Sequence, residues 1–232
     1  MATAGRPPEV EHTKERLLRK IGSAYGLVTA ILALPVQVNP NGPAGLHPKH
    51  ARQIVELAFM AMVAAWEEFL EQVLVRYVAG AATANGYRPT PKYGLANSIQ
   101  HAYELVSQDS RYDPLKDYLK VTDPKWVRQR ADFFFAVHPF GALQAKTDLL
   151  KHATSIRNRV AHESDKCKRD FKESAIYFLQ PPNDTLTRGY GPGDLLMARV
   201  QRHFGQGAVQ QGLAHFVAYR DMFEQLAVAI VP

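Results

Sequence analysis

The sequence predicts an all-α fold. Several long segments carry apolar residues at spacings of three and four, the period of an amphipathic helix. Stretches rich in proline and glycine separate those segments. With 46% of its 232 residues apolar, the chain can fill a real core. Residues 1–8 read as a tail. Glu9 to Leu34 reads as the first helix, with Leu17, Leu18, Ile21, Tyr25, Val28 and Ile31 at helical spacing. Four prolines and two glycines between Pro35 and Lys49 predict a long loop. The next helix, His50 to Val78, is broadly apolar. Ile54, Leu57, Ala61, Ala65, Phe69, Val73 and Tyr77 make one stripe, and Trp66, Leu70 and Leu74 a second. A helix apolar on that many sides is expected to be central, with its Trp66 ring buried.

Gly80 to Tyr93 breaks the pattern, and a shorter helix is expected over Leu95 to Val106. Residues 108–124 read as irregular. Asp123-Pro124 then marks a helix start, with aspartate as the cap and proline at the first position, where its missing N–H costs nothing. His138-Pro139-Phe140-Gly141 interrupts the chain before a helix whose stripe is Leu149, Ala153, Ile156 and Val160. The charged run Asp165 to Lys172 predicts one or two turns, with Phe171 in the core. Ala175 to Leu179 reads as a short strand or a buried apolar segment, and QPPNDTLTRGYGPGD as a loop. Leu195 to Phe204 reads as a helix, and Gly207 to Ile230 as a last amphipathic one. The expected organisation is a single helical domain over 1–232. It has a core over 9–172, a variable loop region at 173–206 and a C-terminal helix at 207–230.

Composition and missing signatures exclude several classes. The single cysteine, Cys167, forms neither an internal disulfide nor a thiolate cluster, so a disulfide-stapled secreted domain is excluded and a reducing, cytoplasmic setting is expected. The N-terminal residues lack the apolar run of a signal peptide. The most apolar stretch, Ile54 to Ala79, carries Glu56, Glu67, Glu68, Glu71 and Arg76, so no membrane span is expected. There is no phosphate loop, no His-Glu-x-x-His and no G-x-S-x-G elbow. His47 and His50 have no third ligand at useful spacing, and Gly189, Gly191 and Gly193 read as a surface turn. No metal and no cofactor are expected. With 28 Lys and Arg against 22 Asp and Glu, the net charge of +6 permits a nucleic-acid partner without requiring one.

One local cluster carries chemistry: Arg157-Asn158-Arg159-Val160-Ala161-His162, at the end of an amphipathic helix. A histidine with a pKa of about 6.5 passes protons at neutral pH. Arginine offers a fixed fork of donors to a phosphate whose charge grows in a transition state. RNA supplies its own nucleophile, the 2′-hydroxyl, so the set suits RNA cleavage without a metal. Asn158 either orients the histidine or holds the helix end. On an ideal helix, Arg157 and His162 lie roughly 140° apart, so their convergence requires the helix to end early, the arginine to reach around, or a second copy to contribute. The bland reading is equally physical: cationic residues near a helix C-terminus stabilise its dipole. From Arg157 to Arg169 there are five basic residues against two acidic ones, a face that attracts an RNA backbone or is simply solvated.

These residues resemble the HEPN-domain superfamily, an all-helical family marked by an Arg, four to six residues, then His, often with a polar residue after the Arg. Arg157-Asn158-x-x-x-His162 has that form, followed by Glu163-Ser164. The helix containing AWEEFLEQVLVRYV, from Ala65 to Val78, resembles the family's other core helix, which often carries an acidic residue near the cleft; Glu67, Glu68 and Glu71 are the candidates. The resemblance spans roughly residues 50–172, in patches. It implies a HEPN-like helical bundle, here with a loop-rich insertion between the later helices. It also implies a metal-independent endoribonuclease, in which His162 transfers protons, Arg157 binds the phosphate, and Asn158 and Arg159 support them. Lys166, Lys168 and Arg169 are the candidate RNA-binding residues. A homodimer whose two motifs share one cleft is implied, as are settings such as toxin–antitoxin pairs and anti-phage defence, with an antitoxin or regulatory partner. The second reading is a non-catalytic HEPN-like module that binds a protein, nucleic acid or nucleotide.

Overall fold

The computed structural model describes residues 9–37 and 45–232. The expected tail at 1–8 and the middle of the expected Pro35–Lys49 loop lie outside the described residues. The fold is all-α: nine α-helices carry it among the described residues, beside one antiparallel pair of short strands, β1 (Thr90–Pro91) and β2 (Phe135–Val137). The chain forms two compact units. The first comprises the described part of Met1–Leu18 with Trp66–Thr147 and Gln225–Pro232, and the second Arg19–Ala65 with Asp148–Glu224. The chain passes from one to the other within α1 (Glu11–Leu32), α2 (Pro48–Val78) and α9 (His215–Ile230), and after the first residue of the Thr147–Ala161 helix.

The core of the first unit is built on the second half of α2. Trp66 is buried as expected and stacks on Phe69, ring centroids 5.5 Å apart. Val73, Tyr77, Val106, Val127, Phe135 and Phe140 are fully buried. The Tyr77 hydroxyl satisfies itself by donating to the Ile230 carbonyl at 2.9 Å, as a buried phenol must. α3 (Ile99–Ser107) starts later than Leu95 because Ser98 caps it, its hydroxyl accepting the His101 N–H at 3.0 Å. α4 (Pro124–Phe134) begins as the sequence predicts, with the Asp123 carboxylate accepting the Lys125 N–H at 2.9 Å and Pro124 at the first position. It ends where Phe135 turns extended and enters β2. The Pro139–Lys146 segment after the His138-Pro139 break is a 3-10 helix.

In the second unit, α5 (Thr147–Ala161, all but its first residue), α6 (Asp165–Leu179), α7 (Pro192–Met197), α8 (Gln206–Gln210) and most of α9 pack with parts of α1 and α2. Phe59 meets Tyr219 edge-on at 5.2 Å, and the buried Tyr219 hydroxyl donates to the Leu149 carbonyl at 3.2 Å. Four sequence expectations are corrected here. Ala175 to Leu179 is no strand, and the charged run before it is more than a turn or two. Both belong to α6, which Ser164 opens by accepting the Cys167 N–H at 3.3 Å. The buried Phe171, Ala175 and Phe178 sit four and three residues apart, a helical stripe that β-prone Ile176, Tyr177 and Phe178 disguise. The helix expected over Leu195 to Phe204 starts earlier, at Pro192, and stops at Met197, because Arg199 pairs with Ala214 in an antiparallel bridge. The single helix expected over Gly207 to Ile230 is two, α8 and α9, parted by Gly212 at φ +60°, a backbone conformation that favours glycine.

Candidate functional site

α5 delivers the Arg-x4-His motif. Leu149, Ala153 and Ile156 are buried and seat the helix, while Val160 is only half-buried near the end. The His162 N–H donates to the Asn158 carbonyl at 2.9 Å, so helical bonding continues one residue beyond Ala161. The five-residue step therefore keeps Arg157 and His162 roughly 140° apart around the axis. An early helix end, one route to their convergence, is not what the backbone does. Arg157 is half-buried, and its Nη1 donates to Asn158 Oδ1 at 2.9 Å, which orients the guanidinium fork. Arg159 Nη1 donates to the His162 carbonyl at 3.3 Å and pairs with Glu163 at 3.1 Å, so its role at hand is to close the helix end. His162 is exposed.

Lys166, Lys168 and Arg169 follow on α6, all exposed. Each has an acidic neighbour: Lys166 pairs with Asp170 at 2.5 Å, Lys168 with Asp165 at 3.3 Å, and Arg169 with Asp170 at 3.9 Å. Exposed pairs of this kind are weak and remain available to a competing phosphate. Cys167 is half-buried among them.

The acidic candidates belong to the other unit, on α2. Glu68 forms an ion pair with Arg16. Glu71 accepts the Tyr103 hydroxyl at 2.9 Å, and Tyr103 in turn accepts from Gln72 Nε2 at 2.8 Å. Burial raises the Glu71 carboxyl above the usual carboxylate range, against the lowering effect of the Tyr103 bond. Glu67 is half-buried. Of the three, Glu71 has the environment of a proton-holding carboxyl.

A histidine cluster in the second unit escaped the sequence reading. His152 Nδ1 lies 3.0 Å from the Ser174 hydroxyl, whose oxygen is also 2.9 Å from the Asp170 carbonyl. The His152 ring faces Tyr177 at 4.2 Å, and Tyr177 stacks on His203 at 3.9 Å. His215 is buried, with Nδ1 2.8 Å from the Ala198 carbonyl. Burial lowers the pKa of both His152 and His215. Ser174 lies 22 residues from His152, so no local spacing announces the pair. Among the described residues, no three or more His, Cys, Asp or Glu side chains are grouped to hold a metal ion, and no helix is long and apolar enough to cross a membrane.

Compared with known proteins, the chain matches no family model, no curated protein and no solved structure.

Proposed function

We propose that this chain is a metal-independent endoribonuclease of HEPN type. The observation that supports it is the Arg157-Asn158-x-x-x-His162 motif at the end of α5, with a guanidinium oriented by Asn158 and an exposed imidazole. In this reading His162 takes the proton of an RNA 2′-hydroxyl, whose oxygen attacks the adjacent phosphorus. The bond to the 5′-oxygen breaks, and that oxygen leaves with a proton from an acid. Arg157 binds the phosphoryl oxygens as their charge rises. The products carry a 2′,3′-cyclic phosphate and a 5′-hydroxyl. Because Arg157 and His162 point to different faces of one helix, the reading calls for a homodimer in which the second copy supplies the acid, His162 of the other motif. Lys166, Lys168 and Arg169 hold the strand. The corresponding setting is a cytoplasmic toxin or anti-phage component held in check by an antitoxin or regulatory protein.

The second reading is a non-catalytic helical module binding a protein, nucleic acid or nucleotide. The pairing of Lys166, Lys168 and Arg169 with Asp165 and Asp170 favours it, since it reduces the free positive charge beside the motif.

The deciding experiment incubates wild-type and His162→Ala protein with several RNAs in EDTA, with analysis of product ends and a melting curve for each protein. The expected outcome is cleavage leaving cyclic-phosphate ends by the wild type and none by His162→Ala, whose melting temperature is unchanged because the side chain is exposed. Arg157→Ala loses cleavage as well, and Arg159→Ala is milder. Equal cleavage by both proteins, or none by either, removes the support for the His162 site, and absence of cleavage across the RNAs moves the binding module ahead. Sedimentation of the same samples reads the dimer.

A further inference from the structure

We propose that a cleft in the first unit binds a guanine nucleotide, either free or as one unit of an RNA strand. This goes beyond the α5 motif and does not depend on it. The cleft, about 450 Å³, opens between the end of α3, the 108–123 loop and the first half of α4. Its lining combines three chemistries. Tyr118 and Trp126 supply rings; Tyr118 is 91% exposed, a large ring held in water with almost no packing, and the Arg130 guanidinium sits 5.3 Å over the Trp126 ring. Asp109 and Asp117 supply carboxylates, and Lys120 and Arg130 supply cations.

The loop that presents these groups is tightly tied. The Tyr112 ring stacks on Tyr103 at 5.5 Å and only 9° from parallel. Gln100 Nε2 donates to the Tyr112 carbonyl at 2.8 Å, and the Tyr112 hydroxyl donates to the Asp117 carbonyl at 3.1 Å. Arg130 Nη2 donates to Gln108 Oε1 at 2.9 Å, which fixes the guanidinium over the ring. Each carboxylate commits one oxygen to the loop: Asp109 Oδ1 accepts the Arg111 N–H at 2.9 Å, and Asp117 Oδ2 the Asp113 N–H at 2.8 Å. The second oxygen of each is left for a ligand.

A ligand that uses all three chemistries needs a flat π-face, an edge of N–H donors and a phosphate. Exposed aromatic rings stack on bases, and an arginine or lysine receives the phosphate. Among the nucleobases, guanine presents N1–H and N2–H side by side, a match to the uncommitted oxygens of the two carboxylates. Adenine, cytosine and uracil lack that adjacent pair of donors on their pairing edge. The mixed charge of the cleft also argues against a simple backbone-tracking groove, which is cationic throughout.

The test is titration of the full chain, followed by tryptophan fluorescence. Trp66 is buried, so Trp126 is the ring that responds. The probes are GMP, AMP, CMP and two RNA heptamers, UUUGUUU and UUUUUUU, with every 2′-hydroxyl methylated to prevent cleavage. Saturable quenching by GMP or by UUUGUUU, at least about tenfold tighter than by the other probes, is expected; quenching by GMP alone identifies a free nucleotide, and by the heptamer an RNA unit. Tyr118→Ala weakens it by about tenfold or more through lost stacking. Its near-complete exposure means that the fold does not depend on it. Asp117→Asn keeps an oxygen for the Asp113 N–H and removes the preference for guanine over adenine. Absence of quenching, or quenching that neither variant changes, overturns the proposal. Cleavage is read separately, so a chain that cleaves RNA through His162 and fails here refutes the cleft alone.

Discussion

His152 is half-buried against Ser174 and Tyr177, and the consequence is a pH-dependent fold. Burial, the larger effect, places its folded pKa below the ordinary 6.5; Lys151 and His203 act in the same direction and Asp148 opposes them. The unfolded chain then binds more protons than the folded one once the pH drops toward 6.5. Stability is complete above that value and falls as the pH goes down through the window between the unfolded and folded pKa. His215 adds to the same trend. The melting temperature is expected to drop between neutral and mildly acidic pH, and His152→Gln to flatten the drop. An unchanged slope in that variant assigns the effect to His215 and other groups. At this scale the sequence was partly legible. Arg157, Asn158 and His162 stand within six positions and could be seen together. Ser174 and Tyr177 meet His152 only after α5 and α6 have packed, and a linear pattern has no access to that.

Among the elements, those with local punctuation were readable. Asp123-Pro124 encodes the start of α4 in two residues, and the structure uses both as predicted. Elements set by distant partners were not. The break between α8 and α9 depends on Val200 donating to the Leu213 carbonyl at 2.7 Å, a contact that no window around Gly212 contains. The entry to α7 shows the same dependence and can be tested. Gly193 donates to Glu56 Oε1 at 2.8 Å, and beside it Asp194 pairs with Arg52 at 2.7 Å. A Cβ on Gly193 would sit 2.7 Å from Arg52 Cβ and 2.9 Å from its carbonyl oxygen, both fixed by the α2 backbone. Gly193→Ala is expected to destabilise the chain by about 1–3 kcal/mol, as overpacking does. A chemical denaturation curve matching the wild type would show that α7 can shift freely.

For the molecule as a whole, the broad apolar helix was the most informative sequence feature. Its second stripe, Trp66, Leu70 and Leu74, is buried in full. Trp66→Ala is expected to cost about 3–5 kcal/mol, the range for a large buried ring, measured as a shift in the denaturation midpoint. A cost under about 1 kcal/mol would mean that the surrounding side chains collapse into the space. The all-α class was legible because the helical period survives averaging over long segments. The partition into two compact units was not, since three of the four changes of unit fall inside α1, α2 and α9, where the sequence pattern shows no break.

Cys167 stands on the first turn of α6, five positions beyond His162, and is the chain's one thiol. A nitroxide attached there therefore reports a single spin pair when two copies associate, with no engineered cysteine and no background label. The spin–spin separation measures how near the two motifs come, in solution and in the native sequence. The same residue that excluded a disulfide framework thus provides a built-in ruler for assembly.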